Sequence, residues 1–118
     1  MTRKKKLYWI DYLLIDALEG GSNYWYLLKQ VPGRNEGEAT SEAILRHLVK
    51  EGGKLDIYDI EDEDELLGTL TLDSMLEAFD LMEENWSTHY ADILRDNVDA
   101  STADVWFQLA VMKDLVFG

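Results

Sequence analysis

The chain has 118 residues, of which 47% are hydrophobic and 30% charged, with a formal net charge of −13 and no cysteine. This length corresponds to one domain, and the composition is typical of a globular chain rather than a disordered one. The absence of cysteine excludes disulfides, thiolate metal ligands and a cysteine nucleophile. No apolar run reaches the length of about 18 residues that a membrane-spanning helix needs, so we expect no membrane partner.

The acidic residues are concentrated in the second half of the chain. Residues 1–54 contain 9 basic and 7 acidic side chains, whereas residues 55–118 contain 2 basic and 17 acidic ones. The net charges of the two parts are therefore +2 and −15. A surface this negative repels nucleic acid, whose phosphates need lysine and arginine partners, and it speeds encounter with a basic surface. The alternative is that the acids only keep the protein soluble.

In chain order, five segments have the apolar spacing or composition of helices, at residues 7–19, 41–51, 72–86, 87–95 and 103–116. The first and the last are apolar on nearly every side, which is typical of helices that are buried on several sides. We therefore expect these two helices to pack together as the central core. Residues 1–6 are basic and polar, and we expect them to fray. Gly20 and Gly21 end the first helix.

The strands are predicted from alternation and composition. The stretch 23–31 is rich in aromatic and β-branched side chains, so the choice between helix and strand stays open there, with a strand slightly favoured. Residues 54–60 alternate apolar and polar side chains, residues 66–72 form a second extended run, and residues 61–65 form a polar turn. This pattern predicts a β-hairpin. The predicted fold class is α+β, a mostly helical single domain over residues 1–118 with a small antiparallel β-hairpin or sheet.

Polar residues at two places are candidates for binding a small ligand. The glycine pair allows a ligand to approach the backbone, and its neighbours supply hydrogen bonds and aromatic surface. On the last predicted helix, two polar residues lie four apart and therefore share a face. The candidate ligand-binding residues are Glu19, Gly20, Gly21, Asn23, Tyr24, Trp25, Asp104 and Gln108. The alternative is structural: a helix end followed by core aromatics, and a buried polar network that ties the last helix to the first through Asn23.

The acidic run between the predicted strands is the candidate partner-binding site, formed by Asp59, Glu61, Asp62, Glu63, Asp64 and Glu65. A calcium loop that began at Asp59 would need glycine at its sixth position and glutamate at its twelfth, but these positions hold Asp64 and Leu70. His47 and His89 lack a third ligand at metal spacing. No Gly-x-Ser-x-Gly elbow and no phosphate-binding P-loop is present. We predict no catalytic residue, no metal and no cofactor, and an enzymatic activity is the less favoured reading.

Two segments carry a family resemblance. Residues 17–25 read ALEGGSNYW, residues 103–118 read ADVWFQLAVMKDLVFG, and a glycine pair, Gly52-Gly53, precedes the extended LDIYD segment. In this order they resemble a family of small uncharacterised proteins encoded by tailed phages and prophages. The family has Gly-Glu where this chain has Lys113-Asp114, and an additional aromatic near residue 35. The resemblance implies phage origin and a role in the cytoplasm of an infected or lysogenic cell, and it implies no activity.

Three functional hypotheses follow. The first is a non-enzymatic phage accessory protein, of the anti-defence or host-takeover type, that binds a bacterial protein with a basic surface and makes no direct contact with nucleic acid. The second is a protein that binds or sequesters a small ligand or nucleotide-like signal at residues 19–25, with Arg34 or Arg46 at the site. The third is a homo-oligomeric structural component. Two helices that are apolar all round are difficult for one small domain to cover, so we expect a homodimer.

Overall fold

The computed structural model describes all residues from Met1 to Gly118 and contains five α-helices and a three-stranded sheet, which confirms the α+β class and the single domain. Single π-helical turns extend the first helix over Ala17–Gly21 and the second over Arg46–Lys50. No helix is both long enough and apolar enough to cross a membrane. The elements in chain order are α1 (Arg3–Asp16), β1 (Tyr26–Leu27), α2 (Thr40–Leu45), β2 (Leu55–Asp59), β3 (Asp62–Leu70), α3 (Leu72–Asn85), α4 (Ser87–Leu94) and α5 (Ala100–Met112).

The ends of the first and last helices differ from the predicted ones. The Thr2 side chain accepts a hydrogen bond from the backbone N–H of Lys5 at 3.2 Å, so α1 includes residues 3–6, which the sequence placed outside it. A side-chain acceptor at this position satisfies one of the N–H groups that a helix start leaves without a partner. At the other end of the chain, α5 stops at Met112, because Lys113 adopts a left-handed conformation with φ of 63°.

The three strands form one antiparallel sheet in the order β1-β2-β3. Of the ambiguous stretch 23–31, only Tyr26 and Leu27 pair in the sheet. The predicted hairpin is present as β2 and β3, but its turn contains only Ile60 and Glu61, and β3 already begins at Asp62. The acidic run therefore lies mainly in a strand, whereas the sequence predicted a turn there.

The hairpin loses its regular pairing next to this turn. The first three residues of β2 pair in register, and Tyr58 then pairs with Leu66. The next residue of β2, Asp59, pairs with Asp62, so residues 63–65 have no partner across the ladder. Residues inserted into one strand in this way lie outside the ladder and bend the strand.

Helix α5 forms the centre of the core. Its residues 102–111 are all buried, and the helix packs against α1, α3, α4 and β3. Trp106 is fully buried, and its ring centroid lies 5.9 Å from that of Phe79 on α3. The predicted packing of the first helix against the last is confirmed. However, α1 is not buried all round, since Tyr8 and Tyr12 on its outer side are each 52% exposed.

Candidate functional site

The acidic arm is defined here as Asp59 together with residues 61–65, at the tip of the β2–β3 hairpin. All five carboxylates of residues 61–65 are exposed. The tip is shaped by two short-range hydrogen bonds: Asp59 Oδ1 accepts from the backbone N–H of Glu61 at 2.9 Å, and Asp62 Oδ1 accepts from that of Asp64 at 3.1 Å. Asp59 and Asp62 pair with each other, but residues 63–65 lie outside the ladder, so this part of the arm presents its carboxylates to solvent without cross-strand pairing.

Little of the arm's charge is neutralised within the protein. Its one ion pair joins Asp64 Oδ1 to Lys29 Nζ at 3.8 Å, and Lys29 Nζ also lies 4.3 Å from the ring centroid of Tyr58. Elsewhere among residues 55–118, only Glu77 and Asp80 have a cationic partner within 4.0 Å. No group of three or more histidine or carboxylate side chains in the structure is arranged to hold a metal ion. The arm is therefore a concentrated negative charge with no internal counterion beyond one lysine.

A second polar centre surrounds the carboxylate of Asp104 on α5. Its Oδ1 accepts hydrogen bonds from Ser22 Oγ at 2.7 Å and from Trp25 Nε1 at 2.8 Å. Its Oδ2 accepts from the Tyr24 hydroxyl at 2.5 Å and from Gln108 Nε2 at 3.1 Å. Burial and the hydrogen bond to the Asp104 carboxylate raise the pKa of Tyr24 to about 12. Four donors on one carboxylate use its acceptor capacity, so this centre ties the segment after α1 to α5.

The side chain of Gln108 fastens the last residues of the chain to the same centre. Its Oε1 accepts from the backbone N–H groups of Val116 and Phe117 at 2.9 and 2.8 Å. Its Nε2 also lies 2.9 Å from the carbonyl oxygen of Phe117. The Phe117 ring stacks on the buried Trp25 ring at 5.4 Å with an interplanar angle of 13°. Both polar atoms of the fully buried Gln108 amide are therefore bonded within the chain.

The structure brings together four of the eight candidate ligand-binding residues, Tyr24, Trp25, Asp104 and Gln108, and their polar groups bond to one another. The other four lie outside this centre. Glu19 accepts from Ser41 Oγ at 3.2 Å, and Gly20 has open space around it. A Cβ at Gly21 would lie 2.8 Å from the carbonyl oxygen of Ala100, so close backbone packing explains this glycine.

Asn23 is exposed, and its side chain makes no hydrogen bond in the network. The structural alternative placed Asn23 in this network, and this is wrong. The neighbouring Ser22 supplies the donor, because its side chain points inward. No sequence signal distinguished Ser22 from Asn23, since both lie between the glycine pair and two aromatic residues. The role of residues 116 and 117 carried no signal, since a backbone group has no mark in the sequence.

The two arginines considered for the ligand hypothesis do not meet the Asp104 centre. Arg46 Nη2 lies 2.9 Å from Glu38 Oε1 and donates to the carbonyl oxygen of Gly33 at 2.8 Å, and Nη1 bonds to Glu51. The hydrogen bonds from the Arg46 guanidinium hold the pKa of Glu38 at about 2. Arg34 is exposed and has no ion pair. Arg46 therefore fastens the 33–38 loop to the π-helical turn after α2.

A cavity of about 620 Å³ lies elsewhere, beside the sheet. It is lined by residues 29–32 of the loop after β1, by His47, by Thr69 of β3, and along β2 by Lys54, Leu55, Asp56 and Tyr58. We call it the sheet-edge groove. Sequence reasoning did not find this groove, because its walls come from segments that are up to 40 residues apart in the chain.

Comparison of the chain with protein-family models, with curated proteins and with solved structures finds no match. The two charged surface features of this α+β domain are the acidic arm and the sheet-edge groove.

Proposed function

We propose that this is a phage-encoded, non-enzymatic accessory protein that binds a bacterial protein through the acidic arm, in the cytoplasm of the host. The partner carries a basic surface, and the role is of the anti-defence or host-takeover type. The observation that supports the proposal is the arm itself: five exposed carboxylates at the tip of a hairpin, with one lysine as their internal counterion.

Five neighbouring carboxylates repel one another, and the fold gains no packing from holding residues 63–65 outside the ladder. A basic partner removes this repulsion when it binds. Because the arm is exposed, the gain appears mainly as electrostatic steering of the encounter, which raises the association rate and weakens with salt.

The experiment compares two variants with the same change in net charge. The arm variant carries Glu61→Gln, Asp62→Asn, Glu63→Gln and Asp64→Asn. The control variant carries Asp11→Asn, Glu36→Gln, Glu84→Gln and Asp92→Asn, four positions whose side chains have no ion pair in the structure. Partners are captured from infected cells with the unmodified protein, identified by mass spectrometry, purified, and assayed for association kinetics at low and physiological salt.

The arm variant is expected to associate about tenfold more slowly at low salt and to lose most of the salt dependence, because its steering charge is gone. The control variant, which has the same net charge, is expected to keep most of both. An arm variant that associates with the same rate and the same salt dependence as the unmodified protein would show that the acids serve only solubility. A control variant that slows association equally would assign the effect to net charge rather than to the arm.

Self-association is a separate proposal and now depends on α1 alone. A single chain buries residues 102–111 of α5, so only the outer side of α1, with Tyr8 and Tyr12 each 52% exposed, still favours a homodimer. The test is sedimentation at tens of micromolar with Tyr8→Glu as the variant. A species of 13.6 kDa alone for the unmodified protein excludes the dimer.

A further inference from the structure

The sheet-edge groove lies along a stretch of β2 that has lost its neighbour. Strand β1 pairs with β2 only through Tyr26 with Asp59 and Leu27 with Tyr58. After Leu27 the chain leaves the sheet, and no backbone hydrogen bond joins residues 28–32 to β2. On this side, residues 55–57 of β2 therefore lie at an open edge, although β2 is the central strand of the sheet.

The pairing also shows which backbone groups face the opening. Ile60 donates its backbone N–H to the carbonyl oxygen of Trp25 at 3.0 Å, on the β1 side of the strand. In an antiparallel strand, alternate residues direct both their N–H and their C=O to the same side. Counting back by two from Ile60 gives Tyr58 and then Asp56. The N–H and C=O of Asp56 consequently face the groove and have no strand partner there.

The size of the groove matches a short strand. A residue in a sheet occupies about 160 Å³, from a rise of about 3.3 Å, a strand spacing of about 4.8 Å and a layer thickness of about 10 Å. The groove, at about 620 Å³, is therefore large enough for three or four residues of extended chain. Tyr58 and Thr69 are among the residues that line it.

The charges at the groove favour an acidic occupant. Lys29, Lys54 and His47 line it, against the single carboxylate of Asp56, which accepts a hydrogen bond from Thr69 Oγ1 at 2.8 Å. Lys29 has Asp64 at 3.8 Å, whereas Lys54 is exposed and has no ion pair. His47 Nε2 lies 3.2 Å from the carbonyl oxygen of Lys54 and holds that backbone at the rim.

We propose that the sheet-edge groove binds an extended peptide segment of a partner protein, which adds a strand to β2 beside Asp56 and places an acidic side chain against Lys54. Strand addition of this kind obtains affinity from main-chain hydrogen bonds and selectivity from alternate side chains. The groove adjoins the acidic arm at Lys29, which pairs with Asp64, but no residue of the arm lines the groove, so this proposal stands or fails independently of the function proposed above.

The probes are three blocked pentapeptides, titrated into the full-length ¹⁵N-labelled protein by NMR. The first alternates valine with glutamate. The second has lysine in place of glutamate, and the third is the glutamate peptide with N-methylated central residues, which cannot donate to a strand. We expect the glutamate peptide to shift the amide signals of Lys54 and Asp56 and to slow hydrogen exchange at Asp56. The lysine and N-methylated peptides are expected to bind at least tenfold more weakly.

Two variants separate the groove from general electrostatics. Lys54→Glu is expected to weaken the glutamate peptide about tenfold or more, and Lys50→Glu, an exposed lysine outside the groove, is expected to leave its affinity unchanged. The proposal is overturned if no peptide binds at millimolar concentration, or if the lysine or N-methylated peptide binds as well as the glutamate peptide. It is equally overturned if the Asp56 amide is already protected in the free protein, which would mean that residues 28–32 occupy the edge.

Discussion

Replacing Asp104 by asparagine tests whether the Asp104 centre holds the fold together as its geometry indicates. Asparagine keeps the shape of the side chain and changes one carboxylate oxygen into an NH₂ group. Trp25 Nε1 can only donate, so the amide oxygen has to remain at the Oδ1 position, where Ser22 and Trp25 bond. The new NH₂ group then faces the hydroxyl of Tyr24, which can turn and accept, and Nε2 of Gln108, which cannot.

Gln108 has no freedom to compensate. Its Oε1 is held by two backbone N–H groups and its Nε2 by the carbonyl oxygen of Phe117, so flipping the amide would break three hydrogen bonds. The substitution therefore replaces one hydrogen bond by a donor–donor contact at about 3.1 Å and removes the charge from the others. A hydrogen bond to a charged group contributes about 1.5–3 kcal/mol, so we expect a loss of about 2–4 kcal/mol in the free energy of unfolding.

The measurement is urea unfolding together with a thermal melt. The midpoint should fall at an unchanged slope, and the melting temperature should fall by about 10 °C, since 1 kcal/mol corresponds to about 3–5 °C for a domain of this size. Asp11→Asn is the matched control, because Asp11 is exposed on α1 and has no ion pair. If Asp104→Asn stays within about 0.5 kcal/mol of the control, the four donors do not stabilise the fold, and the reasoning above is refuted.

Trp106→Ala should lower the free energy of unfolding by about 3–5 kcal/mol because the side chain is fully buried, whereas Trp106→Phe should lower it much less because the indole N–H has no hydrogen-bond partner. Urea unfolding of both variants checks this, and an unchanged melting temperature for the alanine variant contradicts it. Lys113→Gly should raise the free energy of unfolding by about 0.5–1 kcal/mol, since glycine accepts the left-handed φ of 63° without steric cost. The substitution also removes the exposed ion pair with Glu77, which contributes little. A lower denaturation midpoint would show that the ion pair dominates. The raised pKa of Tyr24 stabilises the fold below pH 10, and this contribution is lost as the pH rises from 10 to about 12. The Tyr24→Phe variant should therefore lose less stability than the unmodified protein over that interval. Parallel curves of unfolding free energy against pH for the two proteins would exclude the effect.

The features that local sequence determines were predicted well. Apolar spacing located all five helices, because one turn of helix brings residues three and four apart to the same face whatever the rest of the chain does. Alternation located β2, and the run of acids marked the hairpin tip. The errors at the helix ends have local causes too. The cap at Thr2 starts α1 at Arg3, four residues before the apolar pattern begins, and Lys113 leaves the helical region although apolar residues continue beyond it.

The candidate site shows where sequence reasoning ends. Asp104 and Gln108 were recognised as polar residues on a buried helix, which need partners, and the structural alternative of a buried network described their bonding correctly. Their partners could not be identified from the sequence, because Ser22 and Asp104 are 82 positions apart and meet only when α1 and α5 pack. The choice of Ser22 over Asn23 depends on the direction of each side chain after the π-helical turn, which no local pattern encodes.

By itself, then, the sequence determined the fold class, the helices, the hairpin and the uneven charge, since each follows from side chains that are neighbours along the chain. Only the tertiary structure decided how residues 63–65 leave the ladder, how Gln108 binds the backbone at 116 and 117, and where β1 leaves the edge of β2 open. The physical reason is the same in all three cases. Each arrangement depends on which backbone N–H and C=O groups meet across the fold, and every residue type carries the same backbone groups, apart from the N–H that proline lacks.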